Sequence, residues 1–230
     1  MKLGILWSGG KDSCYAAYLA KKEGNDIACL ITLQSENDDS FMFHTPSIDK
    51  VKQQAQAMSI PLLIKKTKGE KESELEDLEL AILAAKQKYE IEGLVSGALA
   101  STYQSSRIQK ICDALGIESF NPLWQKNQFE HVNDIIKCGM KVIITGVFAE
   151  PLNEDWLGRE IDGDFIEEIK DMANHYEINP AGEGGEYESY VLFCPTLFSH
   201  QLLFDYDKSK LSIKGNKNSW KMEVEVEEEK

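Results

Sequence analysis

Four groups of residues have types and spacings that could do chemistry. The first is Ser8-Gly9-Gly10-Lys11-Asp12-Ser13. It follows the apolar run Leu3 to Trp7 and opens the amphipathic run Cys14 to Lys22, so it reads as a turn between a strand and a helix. Such a turn binds phosphate. Two glycines let the backbone curl with its N–H groups inward, and the helix N-terminus adds the positive end of its dipole. Lys11 adds a mobile cation. Asp12 is an odd neighbour for a phosphate unless a divalent metal sits between them. The spacing is not the G-x-x-x-x-G-K-[ST] of the Walker loop, so a P-loop NTPase is not implied. An ordinary strand-to-helix turn with an N-cap serine is the bland alternative. Six matching residues at the first strand–helix junction favour the nucleotide.

The second group runs from Ser96 through Gly97, Ala98, Ser101, Tyr103 and Gln104 to Arg107. A Gly-Ala pair at a strand end lets a flat ring or a phosphate approach the backbone. Gln104 and Arg107 are three apart on the next helix and face one way. An arginine there can hold a phosphate or carboxylate bidentately, although from its position alone a surface ion pair is the better account. The third group is Pro122-Leu123-Trp124 with Glu154-Asp155-Trp156-Leu157-Gly158. Trp156, in an acidic loop, must either pack or bind something. The fourth is Gly182-Glu183-Gly184-Gly185-Glu186-Tyr187-Glu188-Ser189-Tyr190. Carboxylates beside aromatic faces suit a cation, and a quaternary ammonium above all. A metal ion and a merely solvated loop are the alternatives.

Ser8 to Ser13 resembles the pyrophosphate-binding loop of the N-type ATP pyrophosphatases, which split ATP at the α-phosphorus and adenylate a substrate. The four groups in this order resemble the diphthine–ammonia ligase family over nearly the whole chain. The matching pieces are Ser8–Ser13, Ser96-Gly97-Ala98, Tyr103-Gln104 with Arg107 and Cys112, Leu115-Gly116, Pro122-Leu123-Trp124, Trp156-Leu157-Gly158 and Gly182 to Glu188. The last is the most specific. Ser189 stands where the family usually has threonine, and it keeps the hydroxyl. The chain looks like the compact archaeal-type form, without the extra C-terminal domains of longer eukaryotic members.

The resemblance implies ATP-dependent amidation of diphthine, a modified histidine of translation elongation factor 2, by free ammonium through an acyl-adenylate. The products are diphthamide, AMP and pyrophosphate. It implies that Ser8, Gly9, Gly10, Lys11, Asp12 and Ser13 hold the pyrophosphate, with Lys11 neutralising it and Asp12 helping to hold Mg²⁺. Gly97, Ala98 and Gln104 lie near the nucleotide, and Arg107 steadies a phosphate or the substrate carboxylate. Trp156, Glu183, Glu186, Tyr187 and Glu188 bind the trimethylammonium or the incoming ammonium. Rival readings are an amide ligase for another carboxylate, a tRNA-modifying enzyme of the same superfamily, and a non-catalytic nucleotide sensor.

These groups need elements to position them. Strands are expected at Leu3–Trp7, Asp26–Leu33, Pro61–Lys66, Gly93–Ala98, Ser119–Trp124 and Lys141–Val147. Helices are expected at 13–23, 47–58, 70–89, 101–115 and 129–138. The run Ile27 to Ile31 is apolar throughout, as suits a central parallel strand covered on both faces. The alternation predicts an α/β fold: a Rossmann-like parallel sheet of about five strands flanked by helices, similar to the adenine nucleotide alpha hydrolases. Ligand then binds at the carboxyl ends of the strands, at Ser8–Ser13, Leu33–Ser35 and Gly97–Ser101. Beyond residue 125 the pattern is less regular: a helix at Asp164–Tyr176, a Gly182–Glu188 loop, a strand at Tyr190–Phe193 and a hairpin of Leu211–Lys214 with Trp220–Val226. This predicts an ATP-binding domain over 1–125 and a smaller α+β substrate-binding domain over 126–230.

The bulk properties are those of a globular protein, at 42% hydrophobic and 28% charged. No apolar run reaches the ~20 residues that span a bilayer, and no signal peptide is expected, so the expected setting is cytoplasmic and away from membranes. A net charge of −14 argues against affinity built on many nucleic-acid phosphates, so no nucleic-acid partner is expected. Five scattered cysteines form no C-x-x-C and four dispersed histidines no metal pair. Homo-oligomerisation is left open.

Overall fold

The structure is a computed structural model that describes residues 1–35, 48–68, 71–207, 211–216 and 219–228. It divides into two compact units, Met1–Trp124 and Gln125–Lys230. Among the described residues no helix is long and apolar enough to cross a membrane.

The first unit alternates strand and helix: β1 (Lys2–Leu6), α1 (Lys11–Lys22), β2 (Asp26–Ser35), α2 (Ile48–Met58), β3 (Leu62–Thr67), α3 (Lys71–Tyr89), β4 (Gly93–Val95), α4 (Thr102–Leu115) and β5 (Glu118–Phe120). The five strands pair in parallel in the order β3-β2-β1-β4-β5. The chain therefore winds one way from β1 to β3, then crosses back to β4 and β5. The reversal lies between β1 and β4, which is where a sheet of this kind leaves a crevice at its carboxyl edge.

Local chemistry sets the elements. β2 is almost wholly buried, and its Cys29, Ile31 and Leu33 pack with Leu78, Ala81, Ile82 and Ala85 of α3 and Ile108, Ile111 and Cys112 of α4. Ser101 caps α4 by accepting a hydrogen bond from the Gln104 backbone N–H, and Gly116 ends it at φ +62°. Three expectations move. β4 stops at Val95, so Gly97 and Ala98 lie in the loop beyond it. β5 stops at Phe120, before Pro122, whose missing N–H cannot extend the ladder, and Trp124 follows in a turn. β2 runs past its expected end at Leu33 to take in Gln34 and Ser35, and Ser47 and Glu70, the expected first residues of two helices, lie outside the described residues.

The second unit contains α5 (Gln128–Lys137), β6 (Lys141–Val147), a 3-10 turn (Glu154–Trp156), α6 (Gly163–Tyr176), β7 (Tyr187–Phe193), β8 (Leu202–Phe204), β9 (Ser212–Asn216), β10 (Ser219–Glu223) and β11 (Val226–Glu228). β6 is an apolar strand like those of the first unit, but it pairs antiparallel with β7 and β10 in a sheet ordered β7-β6-β10-β9. An apolar run reports burial on both faces and leaves strand direction undetermined. β9 and β10 form the expected hairpin, while Val226 leaves it to pair β11 with β8.

Candidate functional site

β1 delivers the buried Trp7 to the carboxyl edge, and the chain then turns through Ser8, Gly9 and Gly10 into α1. Gly9 has φ +82°, a conformation that only glycine holds without strain. Gly10 is the N-cap and no side chain caps the helix, so the first-turn N–H groups face the turn. Ser13 Oγ donates to Gly10 O (3.1 Å) and lies 3.1 Å from Ser8 Oγ. Two hydroxyls and a row of N–H groups thus converge at one helix start, the arrangement that holds an oxyanion.

Lys11 is less free than a mobile cation. It is 3% exposed, and its Nζ lies 2.8 Å from Asp12 Oδ2. A buried ammonium needs a counter-charge, and the adjacent carboxylate supplies one. Asp12 keeps about a quarter of its side chain exposed, so it can still meet a ligand. Among the described residues no cluster of three His, Cys, Asp or Glu could cage a metal. Asp12, a single partly exposed carboxylate beside a turn built for an oxyanion, has the donor chemistry that magnesium takes, one or two carboxylates with phosphate oxygens and water.

The second wall comes from the loop after β4. Ser96 is buried, and its Oγ donates to Asn121 Oδ1 at 3.3 Å. Gly97 lies against the α1 backbone: a Cβ built on it would meet Ser13 N at 2.7 Å and Asp12 C at 2.8 Å. Ala98 is 9% exposed. Arg107 stacks on Tyr103, its Cζ 3.4 Å from the ring centroid, and Nη1 donates to Tyr103 O at 3.3 Å. Among the described residues no ion pair to a carboxylate is seen for it, and it shares the start of α4 with Gln104.

Sequence reasoning passed over Gln54. It is fully buried on α2, its Oε1 accepts from Trp7 Nε1 (2.9 Å) and its Nε2 donates to Gly9 O (3.0 Å). Ser35, Thr67 and Glu74 are likewise buried polar residues at the carboxyl ends of β2 and β3 and the start of α3. A signal existed: Gln54 interrupts the stripe of Val51, Ala55 and Met58, and Glu74 interrupts that of Leu78 and Ile82. A polar residue on a core-facing stripe is held there by a partner.

In the second unit, Gly182 (φ +72°) and Gly185 (φ +84°) turn the chain. The Glu186 carboxylate closes the turn from inside, Oε1 accepting from Asn179 N (3.0 Å) and Oε2 from Gly184 N (2.8 Å). Tyr187 and Glu188 belong to β7 rather than to the loop, because Tyr187 pairs with Val147 and Glu188 with Gly146. Tyr187 is 4% exposed and donates its hydroxyl to Pro180 O (2.8 Å). Its ring meets Phe165 edge-on at 5.8 Å, and Phe165 meets Trp156 likewise at 5.8 Å. Trp156 therefore packs, at 6% exposure, with Arg159 over its ring. Glu183 and Glu188 are half-buried, Glu188 lying 3.4 Å from Lys221 Nζ. Burial lifts the Tyr190 hydroxyl well above the usual tyrosine range, so it stays protonated.

Residues 1–119 match a family model described as the diphthamide synthase N-terminal domain, and residues 127–226 one described as the diphthamide synthase C-terminal domain. The chain is similar to a diphthine–ammonia ligase of Rattus norvegicus, 34% identical over 224 residues, covering 89% of this chain and 83% of the relative. It is similar to the Homo sapiens protein of that name, 31% identical with the same two coverages, 89% and 83%. A solved structure described as a predicted subunit of tRNA methyltransferase from Methanocaldococcus jannaschii aligns with 86% of this chain and 100% of its own, at 16% identity and a TM-score of 0.45.

Proposed function

The chain belongs to the diphthamide synthase family, and from that premise we propose that it amidates diphthine on translation elongation factor 2 with ammonia and ATP. The observation that carries the chemistry is the uncapped start of α1 backed by Gly97, at the point where the parallel sheet reverses. The substrate rests on the family.

The reaction balances in two displacements. An oxygen of the diphthine carboxylate attacks the α-phosphorus of ATP, the bond to the β-phosphate oxygen breaks, and pyrophosphate leaves with the electron pair. Ammonia then attacks the carbonyl carbon of the acyl-adenylate, AMP leaves, and the surplus proton passes to solvent. Catalysis of such transfers is mainly positioning and charge stabilisation. Ser8, Gly9, Gly10 and Ser13 hold the departing pyrophosphate through backbone N–H groups and hydroxyls. Lys11 exchanges its Asp12 carboxylate for phosphate oxygens, which frees Asp12 for the metal. Magnesium, when bound, supplies charge neutralisation on the phosphates. Gly97 and Ala98 admit the AMP half, with Gln104 beside it, and Arg107, presented flat on Tyr103, steadies a phosphate or the substrate carboxylate.

The 1–125 segment serves the nucleotide and the 126–230 segment the substrate. Glu183 and Glu188, both half-buried, supply the carboxylates for the trimethylammonium or the ammonium, Glu188 giving up its Lys221 contact to do so. Glu186 sets the shape of their loop, and Trp156 and Tyr187 form its buried footing. A protein partner, with no nucleic acid, also agrees with the net charge of −14.

The test is incubation with ATP, ammonium and diphthine-bearing elongation factor. The expected result is AMP together with a factor carrying the mass change of a carboxylic acid turned amide. AMP that forms regardless of the factor discards the substrate and keeps the ligase chemistry.

A further inference from the structure

We infer that Gln54 is the residue that aims the glycine turn at the leaving pyrophosphate, an inference that rests on the nucleotide reading of that turn. Gln54 is 0% exposed and sits on α2, outside the loop itself. Its amide is held at both ends: Trp7 Nε1 donates to its Oε1 (2.9 Å), which obliges the NH₂ end to face Gly9 O (3.0 Å). The indole thus sets which way the amide points, and the amide sets which way the Gly9 carbonyl points.

In a trans peptide the C=O and the following N–H point in opposite directions. Fixing Gly9 O toward Gln54, on the protein side, therefore turns Gly10 N–H away, into the mouth of the turn. There its protein acceptor is Ser8 Oγ at 3.4 Å, well beyond an ordinary N–H···O distance. A phosphate oxygen can take over so weak a bond at small cost. Gly9 fits this device, since a Cβ on it would strike Gln54 Oε1 at 2.8 Å and Val51 Cγ1 at 3.3 Å. Trp7, Gln54 and Gly9 form a chain of hydrogen bonds whose far end is a donor presented to an anion. Gln54 touches no reacting atom in this scheme and is a positioning residue.

The test measures Mg–ATP, pyrophosphate and AMP binding by calorimetry, together with the melting temperature, for wild type, Gln54→Met, Trp7→Phe and the double variant. Gln54→Met is expected to weaken ATP and pyrophosphate about tenfold and AMP less than about twofold, because only the pyrophosphate half meets Gly10 N–H. Trp7→Phe, which frees the amide to turn over, is expected to weaken ATP and pyrophosphate about threefold. The double variant should bind no worse than Gln54→Met alone, since both act through one chain of bonds. AMP falling in step with pyrophosphate overturns the inference, because it marks a general structural loss. Unchanged pyrophosphate binding in Gln54→Met overturns it too. Should Gln54→Met not fold, Trp7→Phe decides alone on the split between pyrophosphate and AMP. A wild-type protein that binds neither ATP nor pyrophosphate removes the nucleotide reading itself and the inference with it, a result distinct from tight wild-type binding that the variants leave untouched.

Discussion

Gly97 and Ser13 meet backbone to backbone: a Cβ on Gly97 would lie 2.7 Å from the Ser13 nitrogen and 3.0 Å from Asp12 O. At Gly97 the β4–α4 loop meets the start of α1 with its backbone. Gly97→Ala must push the two apart, because the atoms it strikes are backbone and cannot rotate aside. The expected cost is about 1–3 kcal/mol in denaturant unfolding, with a larger loss in ATP affinity than in AMP affinity. Gly163→Ala is the control, since a Cβ there meets nothing within 4 Å and alanine favours a helix start over glycine.

Lys11→Met is expected to lower kcat/KM for ATP by on the order of 10²–10³, the usual cost of removing one preorganised charge from a transition state. Asp12→Asn should raise the magnesium concentration needed for half-maximal rate. It should also cost stability, because the Lys11 ammonium is nearly buried and Asp12 Oδ2 is 2.8 Å away. Titrating magnesium against rate in both variants separates the roles: only the aspartate change should move the metal midpoint.

Glu186→Gln places an NH₂ group against one of the two backbone N–H donors, Asn179 N or Gly184 N. About 1–2 kcal/mol of stability should be lost, with a higher KM for the diphthine-bearing factor as the Gly182–Gly185 turn loosens. Unchanged affinity and turnover would remove Glu186 from the substrate site.

Burial pushes the Cys29 thiol up to about 12 and the Cys112 thiol up to about 11, from an ordinary 9.0. Neither should react with iodoacetamide at pH 8 until the chain unfolds, which peptide mass mapping reads residue by residue. The sign of the stability effect follows from a raised folded value. The contribution is complete below pH 9.0, where the unfolded thiol is still protonated, and it is lost as pH climbs toward 11 and 12. The melting temperature should therefore fall across that window, and Cys29→Ala should flatten the fall.

Much of the first unit was legible because its signals are local. The apolar run of β2, the Gly-rich turn before α1 and the Ser101 and Gly116 caps of α4 each act within a few residues. What failed to show was decided at a distance. β6 has the composition of a parallel strand, and only its partners β7 and β10 make it antiparallel. Tyr187 was read with the glycines before it, yet pairing with Val147 draws it into β7 and packing on Phe165 buries its ring. Gln54 lies 45 residues from the carbonyl that it holds, so its motif exists only in the fold. At the site, Ser8 to Ser13 stood out from sequence alone as a glycine turn between a strand and a helix, whereas the pairing of Lys11 with Asp12 and the stacking of Arg107 on Tyr103 needed coordinates.

The most direct test of the central claim is the identity of the nucleotide products, followed by phosphorus NMR in a mixture of the protein, Mg–ATP, ammonium and diphthine-bearing factor. The expected result is AMP and pyrophosphate appearing together in equal amounts, in step with the amide, because the proposed reaction assigns to the turn at Ser8–Ser13 a pyrophosphate that leaves from the α-phosphorus. ADP with inorganic phosphate, or amide formed without any ATP consumed, would contradict it.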